Sequence, residues 1–431
     1  MKKGVFKGKI DAGLFSDEYL AILEGRLSAF IQKTFSTDRE AFILVLEEIE
    51  KEIKRIFPSI QKEIFSEDLK IKIRQINAND LSTAWNLVTE AIIKALRDES
   101  LMKNYLESKG VRFINNFDHP DLKIAEQAYK ALPQVLNNFF RDFNLNIPEE
   151  INLLSPSKIF YILGEGGDFF EKIQNGQREQ QKIIGFFDPR YYNIILRFNQ
   201  PAVEKAEKET FSNDPSFQHF AAFKKIEVLL HELIHQLSFK RFILINIKIV
   251  FNLNGLRFNS PKGIFFKELN EAITQLITLL ILRSLLSLNE FQDISEFYEA
   301  NIWDIQRSLP ELSELIEFIG SPYIVLTKKE GGRYQSKVFT VGYVNELKLI
   351  FRFVKKIKER CLSQLYSPKL KEILEFEPHE ENLLKLILRI FFQAYFEGKI
   401  SKLKELVSFA FPGSNIKELN DFKGFVEKYC K

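Results

Sequence analysis

The chain has 431 residues, and its 61 basic and 58 acidic side chains give a formal net charge of +3. That balance argues against a nucleic-acid-binding protein, which needs a large excess of Lys and Arg on one face. A composition of 45% hydrophobic and 28% charged residues excludes a disordered chain, and two cysteines, Cys361 and Cys430, exclude a disulfide framework or a cysteine-based metal site.

The length predicts two or three domains. The basic start, Met1 to Lys9, is not followed by an apolar stretch of the kind a signal peptide needs. The greasiest run, Ile273 to Leu288, is interrupted by Gln275 and Arg283 and is shorter than the roughly 20 residues of a membrane span. The expectation is therefore a soluble, cytoplasmic protein with no membrane span, with export by a signal-free route left open.

Residues 1–147 read as a helical N-terminal domain. Ser16-Asp17-Glu18 and Thr37-Asp38-Arg39-Glu40 look like helix N-caps, and Asn77-Ala78-Asn79-Asp80 precedes another helix. Apolar and charged residues alternate at helical spacing from Glu40 to Phe57, until Pro58. The texture changes near Pro148. Lys158 to Leu163 is a short β-branched and aromatic run; Ile183 to Phe187, Asp188-Pro189-Arg190 and Tyr192 to Phe198 read as strand, turn and strand. The expectation is a small antiparallel sheet with an edge strand open to an extended peptide. A helix follows from about Pro215 to Phe239, then a hairpin from Lys248 to Phe258 around Asn254-Gly255, then a strongly apolar helix from Phe266 to about Leu288. Residues 148–290 make up this central unit. Residues 291–431 read as a helical C-terminal region, with the polar segment Lys328 to Arg333 as a mobile lid.

The helix near 215–239 carries His231-Glu232-Leu233-Ile234-His235. Residues four apart on a helix lie about 40° apart around the axis and one turn apart along it, so both imidazoles can reach one metal ion. Glu232 projects about 100° away, which suits it to a metal-bound water rather than to the ligand set. The surrounding residues Ile226, Val228, Leu229, Leu230, Leu233, Ile234 and Leu237 are apolar nearly all round, the pattern of a buried helix. Buried imidazoles and a carboxylate need partners, and a metal ion supplies one. The alternative is a pair of hydrogen-bonded core histidines in a chance pattern.

Thirty-six residues after His235 stands Glu271, in Glu268-Leu269-Asn270-Glu271-Ala272-Ile273-Thr274-Gln275. Two histidines and a glutamate form one of the standard catalytic zinc sets, with water in the fourth position. Glu268, Glu271 and Gln275 share one side of their helix. The competing reading of Glu271 is a first-turn acid stabilised by the helix dipole.

The two motifs together resemble those of the gluzincin zinc peptidases, the thermolysin-like clan, over roughly residues 158–288. The resemblance implies an α+β, predominantly helical fold with a zincin-like core of small antiparallel sheet plus active-site helix, flanked by helical regions. It implies one Zn2+ per chain held by His231, His235 and Glu271. It also implies hydrolysis of peptide bonds by a zinc-bound water with Glu232 as general base and proton shuttle. Gln275, Asn270 and Glu268 would stand behind these ligands. The chain departs from the clan where Gln275 replaces an acid that orients a zinc histidine. The clan's oxyanion-stabilising histidine has no counterpart either; His379 reads as a helix-start residue, and Tyr343 or Tyr334 would take that role. The implied partner is a peptide or protein substrate, and the helical flanks offer room for a protein partner. The alternative function is a catalytically weak or inactive zincin-fold protein that binds or regulates.

Overall fold

The computed structural model describes residues 34–430, except 57–59, 61, 79, 97, 99, 147–150, 152, 164–183, 189–192, 210, 214, 215, 246, 247, 261, 262, 331 and 332. The expected helix start at Ser16 and the turn at Pro189-Arg190 lie outside the described residues.

Helices dominate, and two small sheets and one long hairpin make the architecture α+β. Near the N-terminus, helices Arg39–Ile56, Glu67–Gln75 and Leu81–Leu96 close over a hydrophobic cluster of their own, which includes Phe42, Leu46, Ile53, Ile73 and Val88. Ser66 caps the second of these through the N–H of Leu69. A separate and larger cluster runs from Phe117 to Val426 and takes in helix Lys123–Asp142, the central helices and the C-terminal helices.

The first sheet has the order β1 (Phe113–Asn115), β2 (Ile159–Ile162), β4 (Asn193–Arg197), β3 (Gly185–Asp188). Strands β3 and β4 pair antiparallel, Phe187 opposite Ile194, as the strand–turn–strand pattern predicts. Strands β2 and β4 are parallel, Ile159 opposite Ile194, so the sheet is mixed and the expectation of a purely antiparallel sheet is corrected. The reason is β3, which lies between them in the chain, runs antiparallel on the far side of β4 and so turns the chain back before β4 begins. Side-chain alternation carries no information about that direction. β2 is buried on both faces, like most parallel strands.

The second sheet runs β5 (Phe239–Ile245), β6 (Lys248–Asn254), β7 (Arg257–Ser260), β8 (Gly263–Phe265), all antiparallel. The expected hairpin between β6 and β7 is present, but Asn254 is paired with Arg257, so the two-residue turn is Gly255-Leu256. The segment read as a mobile lid instead belongs to a paired hairpin, β9 (Tyr323–Glu330) and β10 (Arg333–Thr340), in register from Tyr323–Thr340 to Glu330–Arg333. Two β-branched and aromatic runs flank the polar tip and zip together, so Lys328 and Arg333 lie in strands.

Two helices meet at the centre. Phe217–Ser238, here the motif helix, has no Gly or Pro in 22 residues and is buried on almost every side. Lys267–Leu286, the glutamate helix, packs beside it and is equally apolar. By length and composition this second helix is apolar enough to cross a membrane, a point the broken run from Ile273 had hidden, but 89% of its apolar 18-residue window is buried inside the fold. It is the core helix of the larger cluster.

Candidate metal centre

Helical spacing brings His231 and His235 to one face of the motif helix, their rings 4.8 Å apart and nearly perpendicular. The glutamate helix inserts Glu271 between them: its Oε2 lies 3.0 Å from His235 Nε2 and 3.4 Å from His231 Nε2. One donor atom from each residue falls within 4.8 Å of the other two. The two histidine–glutamate separations, 3.0 and 3.4 Å, lie near the ligand-to-ligand edge of about 3.3 Å that tetrahedral zinc with arms of about 2.0–2.1 Å requires.

The donor chemistry points the same way. The three side chains are 4%, 8% and 7% exposed, and His231 Nε2 and His235 Nδ1 make no hydrogen bond. His231 Nδ1 faces the Gln275 amide oxygen at 2.8 Å and so carries its proton there. Its Nε2 then faces the Glu271 carboxylate, an arrangement that calls for positive charge between them, either a proton on the ring or a metal ion. Burial pushes the Glu271 acid up, but the two imidazoles outweigh it and hold the carboxyl well below its ordinary range. Burial disfavours the charged form of His231, yet Glu271 and Glu232 raise its pKa on balance. A buried group that draws in positive charge this strongly fits a divalent cation.

Glu232 stands beside this set without joining it. It is buried, and its Oε2 accepts the Phe187 N–H of β3 at 2.7 Å, which ties the carboxylate to the sheet. Burial raises its pKa, with the two histidines opposing.

Tyr343 stacks on His231, ring centroids 4.8 Å apart and planes 12° from parallel. It precedes helix Val344–Leu362 in the left-handed region, φ 47°, an uncommon conformation for an aromatic residue. The ring is 38% exposed, and the Glu271 charge, followed by burial, keeps its phenol protonated well above the ordinary value. Tyr343 is the tyrosine at the histidines; Tyr334 lies on β10 and is 74% exposed.

The residues expected behind the ligands divide. Gln275 is there, holding His231. Asn270 is one step removed: its Oδ1 accepts the N–H groups of Leu256 and Arg257 at 2.9 and 3.2 Å, fastening the β6–β7 turn to the glutamate helix. Gly255 in that turn has φ +59°, and a Cβ there would collide with Asn270 Oδ1 and the Tyr395 ring. Glu268 is exposed and accepts the Lys423 N–H at 3.3 Å, so it takes no part in the centre. One turn of helix from Glu271 was enough to carry it to the surface.

Three side chains at the centre escape sequence reasoning. Glu227 accepts the Gln275 Nε2 amide at 2.8 Å and the Gly342 N–H at 2.6 Å, and is paired with Lys224; both charged residues are 1% exposed. Tyr395, in a π-helical turn spanning Gln393–Glu397, places its hydroxyl 2.7 Å from Thr274 Oγ1 and 3.1 Å from Ser238 Oγ, bridging the two central helices. A Lys–Glu pair three apart reads as a solvated helix face, and nothing local marks Tyr395.

Comparison of the chain with protein-family models, curated proteins and solved structures gives no match.

Proposed function

We propose that this protein is a zinc-dependent peptidase with a zincin-like core resembling the gluzincins. The observation that carries the reading is the convergence of His231, His235 and Glu271 within 4.8 Å, from two helices, at a buried position. Zinc bound there would act as a Lewis acid that polarises a carbonyl and lowers the pKa of a water towards about 7. Glu232 is oriented by the Phe187 N–H and made a weaker acid by burial. It therefore both accepts a proton from the attacking water and returns it to the leaving amine. Tyr343, held protonated over His231, donates its O–H to the carbonyl oxygen as negative charge builds. Gln275 keeps the His231 ring in the orientation that exposes Nε2.

Metal content by elemental mass spectrometry, with cleavage of a mixed peptide library, tests the proposal. About one zinc per chain is expected, lost in His235→Ala. Glu232→Gln should keep its zinc while peptide cleavage falls by about 10²–10⁴-fold. Full cleavage by that variant would sink the mechanism.

A second reading, a zincin-fold protein that binds or regulates without turnover, draws on the engagement of Glu232 by Phe187 and on Gln275 in place of an acid. Zinc-loaded protein that cleaves nothing in the library would favour it.

A further inference from the structure

Resting on the zinc reading, we infer that Glu227 is a positioning residue that fixes the proton, edge and face of the His231 ring through Gln275 and Gly342. A glutamine amide can present either its oxygen or its NH2 to a neighbouring imidazole, because the two ends have nearly the same shape. Beside His231 the choice matters. An oxygen facing Nδ1 demands a proton there and leaves Nε2 free as a ligand; an NH2 would demand the opposite tautomer and spoil the site.

Glu227 removes the ambiguity. An ionised carboxylate only accepts hydrogen bonds, so the Gln275 group 2.8 Å from Glu227 Oε1 must be its NH2, and the group 2.8 Å from His231 Nδ1 must be its oxygen. The carboxylate also polarises the amide, so part of its charge is felt at the ring. In this way a carboxylate four residues before His231 on the same helix supplies, through Gln275, what a directly bonded acid would supply.

The same oxygen accepts the Gly342 N–H at 2.6 Å. That bond holds the backbone immediately before Tyr343, whose ring lies flat on His231. A Cβ on Gly342 would come within 3.3 Å of Glu227 Oε1, so the close approach suits glycine. The other carboxylate oxygen pairs with Lys224, whose ammonium also reaches Thr340 O at 3.5 Å, at the end of β10. The ammonium gives the buried carboxylate an opposite charge as partner, which a buried charge needs. Edge and face of His231 are thus both set by one buried ion pair.

The test uses the zinc-loaded full chain. Glu227→Gln alone would strand Lys224 as an unpaired buried cation and could unfold the protein, so the working variant is K224M/E227Q, which removes both charges. Zinc affinity is measured by competition with a chromophoric chelator, and the cobalt-substituted protein by its visible absorption. The double variant is expected to bind zinc about 10–100-fold more weakly, as outer-shell changes do, with altered cobalt bands and native circular dichroism. Adding Gln275→Glu, which gives His231 a carboxylate directly, should recover most of the loss. Wild-type affinity and cobalt bands in K224M/E227Q, or no recovery on adding Gln275→Glu, would overturn the role of Glu227 with the zinc site left standing. A wild-type chain that binds neither metal would instead overturn the zinc reading beneath it.

Discussion

At the scale of single residues, the groups proposed to act at the centre can be tested by separate substitutions. Tyr343→Phe removes only the hydroxyl and keeps the stack on His231. It should lower kcat by about 10²–10³-fold, the usual loss of one oxyanion donor, with KM little changed. A large rise in KM with kcat intact would assign Tyr343 to substrate binding instead. The two thiols are inert for a different reason. Burial pushes the Cys361 thiol up to about 12 and the Cys430 thiol up to about 11. At pH 8 only about one Cys361 in ten thousand would be thiolate, the reactive form. Folded protein at pH 8 should therefore resist maleimide or Ellman's reagent at Cys361, with reaction appearing only on denaturation. Labelling of Cys361 in native protein would place that thiol outside the core.

At the scale of elements, the two central helices and the π-helical turn form one unit. Tyr395→Phe leaves Thr274 and Ser238 with one fewer buried partner and should cost about 1–3 kcal/mol. Equilibrium urea unfolding measures it; an unchanged midpoint would mean that the bridge adds nothing to the packing around it. This is also the scale at which the sequence was most and least informative. His231 and His235 could be paired from spacing alone because a helix fixes the angle between residues four apart, and the apolar residues around them already implied burial. His379 could be read as a helix start, and it does precede helix Glu380–Phe392, because capping is local chemistry. Glu271 could be offered only from the chemistry of zinc ligand sets and from resemblance, since 35 residues, mostly sheet and turn, lie between it and His235 and no local pattern links them. Glu227 and Lys224 were hidden because charge three apart on a helix usually means solvent, and only tertiary packing shows it buried. The parallel pairing of β2 with β4 had no local signature. The Lys328–Arg333 segment was misread because polarity marks both a loop and an exposed strand, and the register of Tyr323–Glu330 against Arg333–Thr340 decides between them.

At the scale of the molecule, the two largest of three hydrophobic clusters among the described residues divide the work. The one built on helices from Arg39 to Leu96 contains no residue of the candidate metal centre, whereas the larger one surrounds it. A ligand that binds only the folded form stabilises what it touches, by about 2.7 kcal/mol at a free concentration of one hundred times Kd. Calorimetry should therefore resolve two unfolding transitions, of which zinc raises only the one belonging to the larger cluster. A single transition raised as a whole would mean that the two clusters unfold as one. The candidate metal centre lies between two helices that are buried on almost every side.

The buried pair of Lys224 and Glu227 also constrains how such a chain can change over generations. Neither charge can be lost alone, since the survivor would be stranded among side chains such as Phe220, Phe223 and Ile226. The pair is a single heritable unit, exchanged for two apolar residues in one step or kept. Because Gln275 depends on Glu227 for its orientation, a lineage that gave up the pair would be under pressure to acquire an acid at 275. Descendants of this chain would then carry their carboxylate at one of the two positions and seldom at both.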